Sequence, residues 1–176
     1  MDEGGTAGDR PVVLVLCTGN AARSVMAGVM LESAGAPARI VTAGTHVVEH
    51  QPTSRRTRDA LAAVGLDASS HRSRQLTDAD LEATDLVIAM AAEHVRYVRR
   101  RHPQASDRTA TLPWLARHLP RGSAPLATRV ARLALADVHP DHQGDVEDPA
   151  GGDEAAYSAC AVHLSGLVAD LVTRLH

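Results

Sequence analysis

Five consecutive aliphatic residues, Val12 to Leu16, run into Cys17. A short polar turn follows, Thr18 to Ala22, and then Arg23, Ser24 and a helical pattern. This stretch constrains the fold more than any other. An unbroken aliphatic run suits a parallel strand buried on both faces, because alternate side chains must then all meet apolar neighbours. Gly19 and Asn20 tolerate the backbone angles of a tight wrap between strand and helix. From Ser24 to Ala34, Met26, Val29 and Met30 share one side of a helix, and Gly35 is a natural stop.

The same alternation continues. Short strands are expected at Ile40–Ala43, Leu86–Met90 and Thr109–Leu112. Ser54 caps a helix to Val64 with Gly65 after it, Thr77 starts a short helix to Ala83, and Glu93–Arg101 stops before Pro103. Three prolines and a glycine break residues 113–125. Ala127–Ala136 is helical, Asp137–Gly152 is a loop, and Asp153–Leu175 is a long amphipathic helix. Strands alternating with helices predict an α/β fold with a parallel sheet covered on both faces. Residues 1–10 read as a disordered tail, and 11–176 as a single domain.

Composition removes several classes. With no Phe, two Tyr and one Trp, the core must be built from Val, Leu, Ile, Ala and Met. A net charge of -3 argues against a nucleic-acid partner. All 18 basic residues are Arg. Without Lys there is neither a Walker phosphate loop nor Schiff-base chemistry. Two cysteines, Cys17 and Cys160, make no disulfide framework and no four-cysteine zinc site. No apolar run approaches the ~20 residues of a membrane span, so no membrane partner is expected. The acidic, Gly-rich start is unlike a signal peptide, and a reducing cytoplasm is the expected location.

The chemistry concentrates between Cys17 and Ser24. A loop entering a helix aims backbone N–H groups at a common centre, and the helix dipole adds positive potential. With Arg23 this should favour a Cys17 thiolate. Arg23 offers a planar fork for two phosphate oxygens, and Ser24 a hydroxyl for the thiolate. Thr18, Gly19, Asn20, Ala21 and Ala22 would wrap an inorganic phosphate or other oxyanion. Attack on phosphorus also needs an acid for the leaving group. Asp148 is the candidate, held extended by Pro149; its acidic neighbours Asp145, Glu147, Asp153 and Glu154 should favour the protonated form.

Cys17-Thr18-Gly19-Asn20-Ala21-Ala22-Arg23-Ser24 resembles the signature of the low-molecular-weight protein tyrosine phosphatases. The resemblance continues through Thr42-Ala43-Gly44-Thr45, Gln51-Pro52, His71 to Leu76, Asp85 to Met90, and Asp148 to Gly152 followed by Tyr157. It covers about residues 11–175. It implies a four-stranded parallel sheet with helices on both sides, the three-layer flavodoxin-like phosphatase fold. It also implies a cysteinyl phosphate on Cys17, hydrolysed with Asp148 then acting as base. Asn20 would hold the loop, supported by Thr42 and His71. The implied partner is a phosphorylated protein or small-molecule phosphate, with no cofactor and no metal.

Several positions depart from the family pattern. Ala22 replaces a second cysteine, Val25 replaces a proline, and Ala21 is smaller than the usual aliphatic residue. Val48 and Ala150 stand where aromatic walls are usual, and each missing ring stack would cost a phosphotyrosine about 0.5–1.5 kcal/mol. Non-tyrosyl phosphoesters therefore enter the expectation. Two alternatives remain: an arsenate reductase using an external thiol, and a phosphate-binding regulatory module without turnover. Among weaker signals, His139 and His142 with Asp137 and Asp141 have metal-ligand chemistry, but a solvated loop is the preferred reading. Arg99-Arg100-Arg101 reads as a solvated helix end, and Cys160 as a buried apolar thiol.

Overall fold

The computed structural model describes residues 10–176. The tail expected over residues 1–10 lies, all but Arg10, outside the described residues. Four parallel strands form one sheet: β1 (Val12–Cys17), β2 (Arg39–Gly44), β3 (Leu86–Ala89) and β4 (Thr109–Thr111), in the order β2-β1-β3-β4. The central strands β1 and β3 are buried on both faces, as their unbroken aliphatic sequences require. Val13, Val15 and Cys17 face one apolar cluster, and Leu14 and Leu16 face a second on the opposite side. That is the period-two alternation of a strand.

Helices cover both faces. On the first side lie α1 (Arg23–Ser33), α5 (Leu112–His118) and α7 (Glu154–Leu175), which pack on one another through Met26, Met30, Leu115, Leu164 and Leu171. The other helices are α2 (Arg55–Ala62), α3 (Asp78–Glu82), α4 (Ala92–Arg101) and α6 (Leu126–Ala131). Ser54 and Thr77 cap α2 and α3, each hydroxyl accepting an orphan N–H.

Four expectations need correction. The strand at Thr109 ends at Thr111, and the proline-containing stretch after it forms α5. Pro113 sits in the first helical turn, where its missing N–H would have had no partner, and Thr111 Oγ1 accepts from Trp114 N. The helix expected over Ala127–Ala136 stops at Ala131, and Ala134 turns left-handed at φ 48°. The arginine run closing α4 is not all solvated: Arg99 Nη2 donates to the carbonyls of Leu135 and Val138, both at 2.7 Å. Finally, α7 is long and apolar enough to cross a membrane by length and composition. Its Leu164, Val168 and Leu171 instead lie in the core against α1 and α5.

Candidate active site

Strand order reverses direction between β1 and β3, and open parallel sheets leave a crevice beyond the strand ends at such a point. Cys17 ends β1 there, 3% exposed, with Sγ 3.0 Å from Ser24 Oγ at the start of α1. Between them the loop carbonyls are tied outward. Cys17 O accepts from Thr45 N and Thr18 O from His46 N, both at 3.0 Å. Asn20 O meets His71 Nε2 at 2.9 Å, Ala21 O accepts from Thr57 Oγ1 at 3.2 Å, and Ala22 O accepts from Met26 N at 2.9 Å. In a trans peptide the next residue's N–H points opposite to the carbonyl. The amides of Thr18, Gly19, Ala21, Ala22 and Arg23 are therefore turned inward, an arrangement suited to an oxyanion.

Asn20 anchors this geometry. Its φ is 50°, in the left-handed region that Asn tolerates. The buried side chain uses its full amide: Nδ2 donates to Ser24 Oγ and Thr42 Oγ1, and Oδ1 accepts from Arg74 N, all at 3.0 Å. Gly44 closes the other side. A Cβ there would lie 2.5 Å from Thr18 O and 2.9 Å from Asn20 N, so only glycine admits the loop backbone. Gly28 in α1 plays the matching part for Thr42, whose methyl would sit 2.7 Å from an added Cβ.

Arg23 is buried in the first turn of α1. Its Nη1 donates to Val146 O at 3.2 Å, and its Nη2 pairs with Asp148 Oδ2 at 2.8 Å. Asp148 is half-exposed, and its other oxygen accepts from Ala150 N at 3.1 Å. Two of the acidic neighbours are engaged at helix starts. Asp145 Oδ1 takes Ala92 N at the start of α4, and Asp153 Oδ1 takes Ala156 N at the start of α7. The charge facing Asp148 is the Arg23 guanidinium. The segment carrying it is fastened to the sheet end: Val146 N donates to Met90 O at 2.7 Å, and buried Gln143 accepts from Thr111 N at 2.9 Å. From the far side Arg56 Nη1 holds Gly152 O at 2.9 Å.

The positions that lack aromatic walls behave as open rim. Val48 is 73% exposed, and Ala150 is exposed. Ring material near the loop comes from elsewhere: His46 and Tyr97 meet edge-on with centroids 5.4 Å apart. Buried His94 places Nε2 2.9 Å from Thr18 Oγ1. Sequence reasoning missed these three, because a histidine or tyrosine inside a short amphipathic helix or loop has no distinguishing spacing. Cys160 is buried with Sγ 3.8 Å from Glu147 O, and burial pushes its thiol up to about 11. His139 and Asp141 are used locally, Nδ1 accepting from Asp141 N and the carboxylate pairing with Arg96. Tyr157 is half-buried against the core.

A buried thiol at a strand end, beneath inward-turned amides and beside a helix-borne arginine, defines the cysteine-dependent phosphatases. A family model described as low molecular weight phosphotyrosine protein phosphatase matches residues 12–121, and this chain belongs to that family. It is 29% identical over 164 residues to a protein-arginine-phosphatase of Geobacillus stearothermophilus, covering 93% of this chain and 95% of that one. The solved YwlE arginine phosphatase from the same organism superposes with a TM-score of 0.77 at 28% identity, over 94% of this chain and 92% of that one. A probable low molecular weight protein-tyrosine-phosphatase, EpsP of Ralstonia solanacearum, is 33% identical over 91 residues. That match covers 52% of this chain and only 63% of EpsP.

Proposed function

We propose that this phosphatase works through a phosphocysteine on Cys17 and acts on phosphorylated protein side chains. The observation that carries the reading is the convergence of Cys17 Sγ, the inward loop amides, Arg23 and Asp148 on one crevice. The thiolate attacks phosphorus, and the bond to the leaving oxygen or nitrogen breaks. Asp148 supplies the proton that the leaving group takes. Water then attacks the same phosphorus, Asp148 accepts its proton, and the sulfur leaves as thiolate with inorganic phosphate released. Arg23 and the amides of Thr18 to Ser24 hold the three non-bridging oxygens of the transferred phosphoryl group. Asn20, Thr42 and His71 keep the loop in shape. Two free thiols suit a reducing cytoplasm.

Two substrates are weighed. The open rim at Val48 and Ala150, with the arginine phosphatase relative matched along nearly its whole length, favours phosphoarginine. The identity with EpsP keeps phosphotyrosine as the second reading. Arsenate reduction loses its internal thiol route, because Cys160 is buried and held in the thiol form.

Phosphoarginyl and phosphotyrosyl peptides, an aryl phosphate, and arsenate with external thiol should be assayed with wild type, Cys17→Ser and Asp148→Asn. The expected result is turnover of the phosphoarginyl peptide and none by Cys17→Ser. Asp148→Asn should lose about 10²–10⁴-fold in kcat. Wild type that binds inorganic phosphate without turning over any substrate would sink the hydrolase reading. Faster turnover of phosphotyrosine would select the second substrate.

A further inference from the structure

His94 is the third residue of α4 and 1% exposed. Its Nδ1 lies 3.0 Å from Ala91 N. A backbone amide only donates, so Nδ1 carries a lone pair and the ring hydrogen sits on Nε2. Burial, then the charges of Arg23 and His46, push the imidazole down to about 3, so the ring stays neutral. Glu93 lies 3.4 Å from Nε2, but with a neutral ring this is no ion pair. The Nε2 hydrogen is directed instead to Thr18 Oγ1 at 2.9 Å. A hydroxyl that accepts from this ring keeps one hydrogen of its own and must aim it away from His94. Thr18 follows Cys17 directly and is the first residue of the loop. Its carbonyl is already fixed by His46 N. The start of α4 is itself held by Asp145 Oδ1 on Ala92 N at 2.7 Å, so one helix terminus touches both the nucleophile loop and the segment bearing Asp148.

We infer that His94 is a positioning residue: it fixes the Thr18 side chain and commits the Thr18 hydroxyl to donate to the oxyanion beside Cys17. The inference rests on the phosphatase reading above.

Two variants separate this role from the capping of α4. In His94→Asn the side-chain oxygen reaches where Nδ1 sits, keeping an acceptor for Ala91 N–H and losing the donor to Thr18. In His94→Gln the amide nitrogen reaches where Nε2 sits, keeping that donor and losing the cap. We expect His94→Asn to lower kcat about tenfold and to weaken inorganic phosphate binding, with Tm near wild type. His94→Gln should lower Tm and recover most of the lost kcat. Thr18→Val should match His94→Asn, and the double variant His94→Asn/Thr18→Val should lose nothing further. Wild-type kcat and phosphate affinity in His94→Asn would overturn the inference. So would losses that add up in the double variant, or kcat that merely follows Tm. If wild type turns over no phosphorylated peptide, the phosphatase reading fails, and titration of the same variants with inorganic phosphate still decides the role of His94.

Discussion

At the scale of single residues, Asn20 and His94 make an instructive pair. The sequence marked Asn20 as able to take the backbone angles of a tight wrap, and the resemblance implied its loop-holding role together with its supporters Thr42 and His71. His94 could not be read, since its contact with Thr18 joins residues 76 positions apart through the β1–β3 pairing. Its chemistry has a consequence for stability. The unfolded ring takes up a proton near 6.5, the folded ring only at about 3. Between these values the unfolded chain binds more protons, so stability falls as pH falls, by roughly 1.4 kcal/mol per pH unit. Above 6.5 the effect vanishes. The charged or titratable groups facing the ring are Arg23, His46 and Glu93. Denaturant unfolding at pH 7.5 and pH 5 should show wild type losing about 2 kcal/mol that a His94→Gln variant does not lose. An equal loss in both proteins would contradict the buried neutral ring.

At the scale of elements, the caps and the aliphatic strands were legible because each is a local property. Ser54, Thr77 and the runs at Val12 and Leu86 state their roles within a few residues. The departures came from tertiary contacts or from a proline read without its position. Pro113 marks a helix start, not a break, once Thr111 supplies the cap. Arg129 shows the tertiary case. It lies in the short helix α6, is buried, and its guanidinium holds three carbonyls. They are Pro120 O at 3.1 Å, Arg174 O at 2.6 Å and Leu175 O at 3.0 Å. The last two belong to the final turn of α7, whose dipole favours a cation there. Replacing Arg129 by Met strands these acceptors. A loss of about 2–3 kcal/mol is expected, read as a lower urea midpoint at unchanged slope.

At the scale of the whole molecule, the strand order gathers three segments at one end of the sheet: the loop after β1, the start of α4 after β3, and the stretch from Gln143 to Pro149. The βα alternation made the sheet readable, and Cys17 marked which end would matter. The rim was readable only as absences at Val48 and Ala150, because what replaces a missing ring depends on neighbours distant in sequence. The attachment of residues 143–149 carries a kinetic consequence. Val146 N bonds the carbonyl just past β3, and the Gln143 side chain and carbonyl bond Thr111 at the end of β4, so Asp148 rides on a segment fixed to the sheet. An enzyme whose acid must swing in on a lid is slowed by a thick solvent, since the closing segment drags against it. Here kcat measured in increasing sucrose should stay flat against relative viscosity. A slope near that of a diffusing loop would mean that this fastening opens in every cycle.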